Sequence, residues 1–218
     1  MTIDAADLKR MFDTIAVAIE ADRDRLCQLD GVIGDADHGI AMALGFNAVR
    51  DALAPLDLAS IEPTALLNTA AKSFLNAVGA SSGPLYATAF MRAAAAAKGK
   101  ATLAEADFIT LFQAMAQGIK DRGKAEPGEK TMVDAWQPAA EAAAAANLAG
   151  KNLAQSLEAA LAAAGRGAEA TKDMIAAKGR SSRLGERSLG HVDPGAASAV
   201  TVISAIRDSV GPIASDRS

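Results

Sequence analysis

Four residues near the start of the chain have the types and the spacing to bind a metal ion. They are Asp30, Asp35, Asp37 and His38, in the stretch LDGVIGDADHG. Three carboxylates this close together repel one another unless a cation neutralises them. Oxygen ligands favour Mg²⁺ or Ca²⁺, and Mg²⁺ held by few carboxylates completes its shell with waters and phosphate oxygens. The stretch therefore predicts a Mg²⁺-phosphate site.

The same stretch has an ordinary alternative, because Asp and Gly are also the residues of solvated turns. Two details favour the metal interpretation. An EF-hand loop needs a Glu at its twelfth position, and the stretch lacks that spacing, so a Ca²⁺ sensor is not expected. Asp35 and Asp37 are one residue apart, so an extended backbone would point both side chains the same way.

The composition predicts one helical domain that covers residues 1–218. Half of the residues are hydrophobic, only 4% are aromatic, and alanine runs such as 93–97 and 142–146 favour helix. A net charge of −4 and a pI near 5.2 argue against nucleic acid or an anionic membrane as a partner. The single cysteine, Cys27, excludes an internal disulfide, and no stretch has the apolar length of a signal core or a membrane span. We therefore expect a cytoplasmic protein.

Apolar periodicity and turn signals predict eight helices and no strand. Asp4 and Asp193 are expected to cap the first and last helices, and Thr102 with Glu105 has the spacing of a capping box for the fifth. The β-branched cluster at 199–203 is assigned to the buried face of the last helix. The expected ranges are 4–29, 38–54, 63–78, 83–98, 102–123, 131–148, 153–178 and 194 to the residue before Gly211-Pro212.

Short connections between helices of similar length predict an all-α, up-and-down barrel or bundle of antiparallel neighbours. In that arrangement the odd-numbered connections lie at one end of the molecule and the even-numbered connections at the other. The even connections are plain, whereas the odd ones contain LDGVIGDADHG, VGASSGP, RGKAEPGEKTM and GRSSRLGERSLGHVDPGA. We therefore expect the residues that could do chemistry to gather at one end.

Each of the three later loops has two interpretations. Ser81 and Ser82 precede a helix, where small residues and hydroxyls suit a phosphate, although either could simply cap the helix. Thr131 could also be a cap, and Met132 could cover a nucleotide base or belong to the core. The last loop is either a solvated charged loop or a phosphate-binding lid that uses its arginines, Arg180, Arg183 and Arg187. Their location at the same end as the carboxylates favours a nucleotide site.

The motifs GDADHG, GASSGPLY, GEKTM and GRSSRLGERSLGHVDPGA resemble, in order, the signature segments of the nucleotide-binding L subunit of dihydroxyacetone kinase. The resemblance spans 30–196 and implies a barrel of eight antiparallel helices with ADP or ATP at one end. It implies that Asp30, Asp35 and Asp37 bind two Mg²⁺ ions that bridge the phosphates, and that Arg180 closes over the nucleotide. It further implies nucleotide contacts by His38, Gly39, Ile40, Ala41, Ala80, Ser81, Ser82, Thr131, Met132, Arg180, Asp193, Pro194 and Gly195.

Two positions depart from the family pattern. Ala41 stands where a polar residue is common, so one side-chain contact to the nucleotide is missing. Arg183 stands where an aromatic residue is usual, which affects the lid or a partner surface. Neither departure touches the carboxylates.

The resemblance implies that the chain is only one of the two parts that the enzyme needs. Both histidines, His38 and His191, lie in the nucleotide loops, and nothing resembles a sugar-binding domain. In the related kinases a separate K subunit or domain holds dihydroxyacetone covalently on a histidine, so a K subunit is the expected partner. Two modes stay open: ADP as a bound coenzyme that a phosphotransferase-system protein rephosphorylates, or exchange of ATP, including in kinases for tetroses and other small ketoses.

Other classes of protein also stay open at this point. A non-catalytic helical adaptor would bind neither metal nor nucleotide tightly, because its loops would only cap helices. A metal-dependent phosphohydrolase would release phosphate from ATP without a partner. A homodimer is compatible with all of these interpretations.

Overall fold

The computed structural model describes residues 1–210, and most of them are helical. The predicted all-α class is confirmed. Within these residues no helix combines the length and the apolar character needed to cross a membrane. The helices are α1 (Ala5–Ile33), α2 (His38–Leu53), α3 (Pro63–Ala77), α4 (Ser82–Ala96), α5 (Glu105–Gly123), α6 (Val133–Leu148), α7 (Leu153–Ala170) and α8 (Pro194–Val210).

The helices pack in the order of the sequence. Each helix contacts the next one along the chain, and α8 contacts α1, so the contacts form a closed ring. The core lies inside the ring and includes a cluster of buried aromatic rings, most of them edge to face: Phe12, Phe46, Phe74, Tyr86, Phe90 and Trp136. The buried face of α8 includes Ala199, Val202 and Ile203, as predicted.

The first helix is longer than predicted. Asp4 caps it, since the Asp4 side chain accepts from the Asp7 backbone N–H at 2.9 Å and the Asp7 side chain accepts from the Asp4 N–H at 3.1 Å. The helix continues past residue 29 to Ile33, so Asp30 lies in its last turn and not in the loop. Its buried face explains the extension, because Asp30 and Ile33 continue that face after Leu26 at helical spacing.

The prediction for the start of α5 is wrong in two respects. Residues Thr2–Ile3 (β1) pair antiparallel with Leu103–Ala104 (β2), so a short two-stranded sheet precedes the helix. The expected capping box of Thr102 and Glu105 does not form, because Asp107 accepts from the Ala104 N–H at 3.0 Å instead. Glu105 accepts from the Leu153 N–H at 2.7 Å and from the amino terminus of the chain at 3.0 Å, and so joins three elements.

The seventh helix ends at Ala170, eight residues before the predicted end. Thr171 stops it, because its hydroxyl donates to the Ala168 carbonyl at 2.6 Å and accepts from the Asp193 N–H at 2.9 Å. Residues 171–192, which we call the arginine segment, contain two 3₁₀ elements, Thr171–Asp173 and Arg180–Ser188. The two ends of this segment are tied by the Gly190 N–H, which donates to the Lys172 carbonyl at 2.8 Å. The predicted stop at Gly211-Pro212 lies outside the described residues.

The helices α1 and α2 approach each other closely at Gly39. A Cβ atom at this position would overlap the Arg23 carbonyl oxygen, and the Cys27 sulfur would be 2.9 Å away. We therefore expect Gly39→Ala to lower the free energy of unfolding by about 1–3 kcal/mol, because overpacking outweighs the gain in helix propensity. Urea denaturation measures the change.

A matched control exists in α7, where a Cβ atom on Gly165 would meet open space. Gly165→Ala is expected to raise the free energy of unfolding by up to about 1 kcal/mol. If both variants were stabilised alike, the close approach at Gly39 would be contradicted.

Candidate functional site

The three predicted carboxylates converge at one end of the molecule. One ligand oxygen from each of Asp30, Asp35 and Asp37 lies within 4.8 Å of the others. Asp30 is buried, whereas the side chains of Asp35 and Asp37 are 44% and 50% exposed. An all-oxygen set with two accessible members is what hard divalent cations prefer. The residues present therefore fit Mg²⁺.

Asp30 holds the turn that carries the other two carboxylates. It accepts from the backbone N–H groups of Asp37 at 3.0 Å and His38 at 3.3 Å, and so caps α2 from α1. Asp37 precedes α2, but its carboxylate makes no capping bond to the backbone of that helix. Ala36 between them has a φ of +63°, so the expected extended backbone is wrong, although Asp35 and Asp37 do converge.

The glycine in this turn also has a steric role. A Cβ atom on Gly34 would overlap the Asp30 carboxylate. A side chain at this position would therefore displace the carboxylate that caps α2. Of the glycines in the stretch, Gly34 is the one that protects the carboxylate geometry directly.

Arg180 brings a positive charge to the carboxylates from the arginine segment. Its guanidinium forms an ion pair with Asp35 and lies 3.7 Å from an oxygen of Asp37. The side chain is 57% exposed, so the pair adds little to stability. The same planar donors match phosphate oxygens. Arg180 is therefore placed to contact both the carboxylates and an anion bound beside them.

A cleft of about 510 Å³ opens beside this cluster. Its volume is in the range of small-molecule sites. Gly39 and Ile40, although predicted, do not line it, since Gly39 is buried against α1 and Ile40 is 57% exposed elsewhere. The predicted residues that line the cleft are Asp30, Asp35, Asp37, His38, Ala41, Ala80, Ser81, Ser82, Thr131, Met132, Arg180, Asp193, Pro194 and Gly195.

The cleft also contains residues that the sequence analysis missed. Three of them are cationic: Arg122, Lys130 and Lys178. Lys130 lies within the GEKTM motif and Lys178 is two residues before Arg180, so proximity to a motif was the available signal. Arg122, near the end of α5, had no such signal. Apolar lining comes from Leu85, Ile119, Ala125 and Val133.

The start of α4 has the features of a phosphate-binding helix terminus. The helix begins at Ser82, and Ser81 makes no side-chain capping bond. The Ser81 side chain therefore does not cap α4, which was the alternative interpretation. In the first turn Pro84 has no N–H and the Gly83 N–H donates to the Ala80 carbonyl at 3.0 Å. The groups that face the cleft at this positive end of the helix dipole are therefore those of Ser81 and Ser82.

The start of α6 differs, because here side chains do satisfy the backbone. The Thr131 hydroxyl accepts from the Val133 N–H at 3.1 Å, and Asp134 accepts from the N–H groups of Gly128 at 2.5 Å and Thr131 at 2.7 Å. The helix begins at Val133 and not at Thr131. Met132 is buried but still lines the cleft. Thr131 thus precedes the N-cap residue Met132 and binds one N–H of the first turn, and it also lines the cleft.

A partly buried polar contact links the starts of α2 and α8. His38 Nε2 lies 2.8 Å from the Ser198 hydroxyl, which donates to the Gly195 carbonyl at 3.0 Å. Burial lowers the pKa of His38, while the nearby Asp30 opposes this effect. Burial therefore favours the neutral ring, and the contact with Ser198 fixes the orientation of the ring beside the carboxylates.

Asp193 caps α8 as predicted, because its carboxylate accepts from the Ala196 N–H at 2.7 Å. Burial raises the pKa of Asp193 to about 7, and the Asp134 carboxylate adds to this rise. The Ala196 N–H and the Lys130 ammonium act in the opposite direction. The folded chain therefore binds one proton more tightly than the unfolded chain, in which an Asp has a pKa of about 3.9.

This raised pKa predicts a pH dependence of stability. The stabilising contribution of the protonated carboxyl is complete below about pH 4 and is lost as the pH rises through about 7. We expect the free energy of unfolding to fall over this window relative to Asp193→Asn, whose side chain does not titrate. Urea denaturation of both proteins at several pH values between 4 and 8 measures the difference. Parallel curves would contradict the raised pKa.

Comparison with known protein families shows which family the chain belongs to. The DAK2 domain model matches residues 32–208, which is most of the chain and includes every part of the cleft except Asp30. The chain therefore belongs to the DAK2 domain family.

Individual relatives narrow this class. The chain is 43% identical over 176 residues to the ADP-binding subunit DhaL of the PEP-dependent dihydroxyacetone kinase of Escherichia coli (strain K12), covering 79% of this chain and 81% of that subunit. It is 37% identical over 206 residues to the corresponding subunit of kinase 1 of Listeria innocua, covering 94% of this chain and 97% of that one. The resemblance to the L subunit of dihydroxyacetone kinase is confirmed.

A solved structure agrees with the fold. The dihydroxyacetone kinase of C. freundii in complex with AMP-PNP and Mg²⁺ superposes with a TM-score of 0.71 at 25% identity. The match covers 92% of this chain but only 33% of that one. The chain thus spans about a third of the length of this larger kinase.

Proposed function

We propose that the chain is the nucleotide-binding phosphotransfer subunit of a dihydroxyacetone-type kinase and that residues 1–218 act as one domain. The observation that carries this proposal is the convergence of three carboxylates and Arg180 at a cleft that the start of α4 also lines. The names of the E. coli and L. innocua relatives, both ADP-binding subunits of such kinases, support it.

In this proposal Asp30, Asp35 and Asp37 hold two Mg²⁺ ions. When bound, Mg²⁺ neutralises charge on the nucleotide phosphates during phosphoryl transfer. Asp30 also keeps the turn in place by capping α2, so Asp35 and Asp37 stay oriented toward the cleft. The AMP-PNP and Mg²⁺ complex of the C. freundii kinase supports this choice of ligands.

The other residues of the cleft contact different parts of the nucleotide. The start of α4, with Ser81 and Ser82, donates to phosphate oxygens. Arg180, beside the carboxylates, contributes a fork of donors. Thr131 and Met132 lie beside the adenosine, where the apolar part of the cleft excludes water. These groups position the phosphates and neutralise charge, which is most of what a protein contributes to this reaction.

The substrate is proposed to come from a partner, a K subunit that binds dihydroxyacetone. The E. coli and L. innocua relatives are named PEP-dependent, which favours ADP as a bound coenzyme that a phosphotransferase-system protein rephosphorylates. Both partners would meet the chain at the cleft end. We propose a cytoplasmic location, where such proteins act and where the free Cys27 stays reduced.

Native mass spectrometry of the purified chain in the presence of Mg²⁺ tests the proposal. Retained ADP with two Mg²⁺ ions is the expected result. A chain that exchanges ATP freely would instead indicate a kinase subunit for another small ketose. Release of phosphate from ATP without a partner would indicate a phosphohydrolase, and failure to bind any adenine nucleotide would contradict the proposal in favour of an adaptor.

A further inference from the structure

Lys130 is a buried lysine that has no role in the proposed binding of Mg²⁺ and nucleotide. It belongs to the GEKTM motif, is only 1% exposed and has a left-handed backbone with a φ of +59°. Burial of an ammonium group removes its hydration, which is unfavourable unless the group is fully hydrogen-bonded. Burial also lowers the pKa of Lys130, although three nearby carboxylates, those of Asp193, Asp134 and Asp173, oppose this effect.

The partners of this ammonium are two backbone carbonyls at opposite ends of the arginine segment. Lys130 Nζ donates to the Thr171 carbonyl at the start of the segment and to the His191 carbonyl, at 2.5 Å, near its end. These carbonyls are twenty residues apart in the sequence. One side chain therefore holds both ends of the segment that carries Arg180.

Lys130 also stands beside the residues proposed to contact adenosine. Its neighbour Thr131 is fixed by Asp134, and the backbone carbonyl of Glu129 accepts from the Ala177 N–H at 3.1 Å. The loop before α6 thus contacts the arginine segment at its two ends and in its middle. The Lys130 bonds are the contacts at the ends.

We propose that Lys130 is a positioning residue, which fixes the arginine segment against the start of α6 and thereby holds Arg180 over the carboxylates. Its effect on the nucleotide rests on the proposed function, whereas its effect on the segment does not. It acts through the two carbonyls and not through contact with the reacting phosphates.

Hydrogen exchange of the full chain, without nucleotide or partner, tests whether Lys130 holds the arginine segment in place. In Lys130→Met we expect residues 174–190 to exchange at least about tenfold faster than in the wild type, because two buried carbonyls lose their donor. Peptides from α3 and α4 should be unchanged. Lys172→Met is the matched control, because this exposed lysine of the same segment pairs only with Glu169 in the described structure, and it should exchange like the wild type.

Lys130→Arg is the conservative variant. It keeps the positive charge and several donors, so protection of residues 174–190 should lie between the wild type and Lys130→Met. Protection no better than in Lys130→Met would overturn the proposal. Unchanged exchange in Lys130→Met would also overturn the proposal, because Lys130 would then not hold the segment. Equally faster exchange in all helices, or loss of the folded state, would overturn it as well, because Lys130 would then stabilise the whole fold and not this segment.

Calorimetry with Mg-ADP tests whether Lys130, by holding the arginine segment, affects nucleotide binding. Affinity is expected to fall about tenfold in Lys130→Met and to stay unchanged in Lys172→Met. If the segment loosens but affinity does not change, the link from Lys130 to the nucleotide is wrong. If the wild-type chain binds no Mg-ADP, the proposed function fails, while the exchange result still decides the role of Lys130 in the segment.

Discussion

Replacing Asp35 or Asp37 by Asn is expected to abolish Mg-ADP binding while the helical fold survives. Both carboxylates are half exposed, and neither caps a helix, so the fold does not depend on them. We expect affinity to fall more than about 100-fold, because loss of even an outer partner of a metal ligand costs roughly 10- to 100-fold. Asp30 is a less clean target, since it also caps α2.

Isothermal calorimetry and thermal unfolding together check this prediction. The melting temperature should stay the same or rise, because one of three crowded carboxylates is neutralised. Asp51→Asn is the control, since Asp51 is an exposed carboxylate near the other end of α2 and pairs with Arg50. Wild-type ADP affinity in the Asp35 and Asp37 variants would refute the metal assignment.

Arg180→Ala is expected to reduce phosphoryl transfer far more than nucleotide binding. The side chain contacts the carboxylates from a segment that is held by other hydrogen bonds, both its own and those from Lys130 and Glu129, so removal of the Arg180 side chain should leave the segment in place. An arginine that stabilises the charge of a transferring phosphoryl group contributes about 10³- to 10⁵-fold. We therefore expect turnover to fall by about 10³-fold and Mg-ADP affinity by about tenfold, the same loss of affinity as in Lys130→Met.

Turnover would be measured with a dihydroxyacetone-binding K subunit and the phosphoryl donor supplied. Arg180→Lys should recover only part of the activity, because a lysine keeps the charge but loses the planar fork. Arg187→Ala is the control from the same segment, and Arg187 does not line the cleft. Equal losses in Arg180→Ala and Arg187→Ala would show that the segment, and not Arg180, is responsible.

The sequence predicted most helices well because their ends carry local signals. Asp4 and the pair Asp193-Pro194 lie within a turn of the groups they cap, and the limits of α2 and α3 differ from prediction by one residue. The errors arose where distant residues decide the boundary. Thr171 ends α7 through a bond to Asp193, and Glu105 is recruited by Leu153 and the amino terminus.

The site shows the same division between local and distant causes. The Asp cluster was predicted because like charges close in sequence are close in space. Its geometry was not, because Asp30 caps a different helix and Ala36 adopts a left-handed turn. The burial of Lys130 could not be predicted, since its partners are carbonyls 41 and 61 residues away and carry no side-chain signature.

The contact between α8 and α1 has a consequence for how the protein acquires activity as it is synthesised. The other pairs of neighbouring helices are close in sequence and can form as soon as each hairpin emerges from the ribosome. His38 and Ser198 are 160 residues apart, so their contact has to wait for nearly the whole chain. The nascent polypeptide thus exposes its aspartates early but can complete the cleft only when translation reaches the last helix.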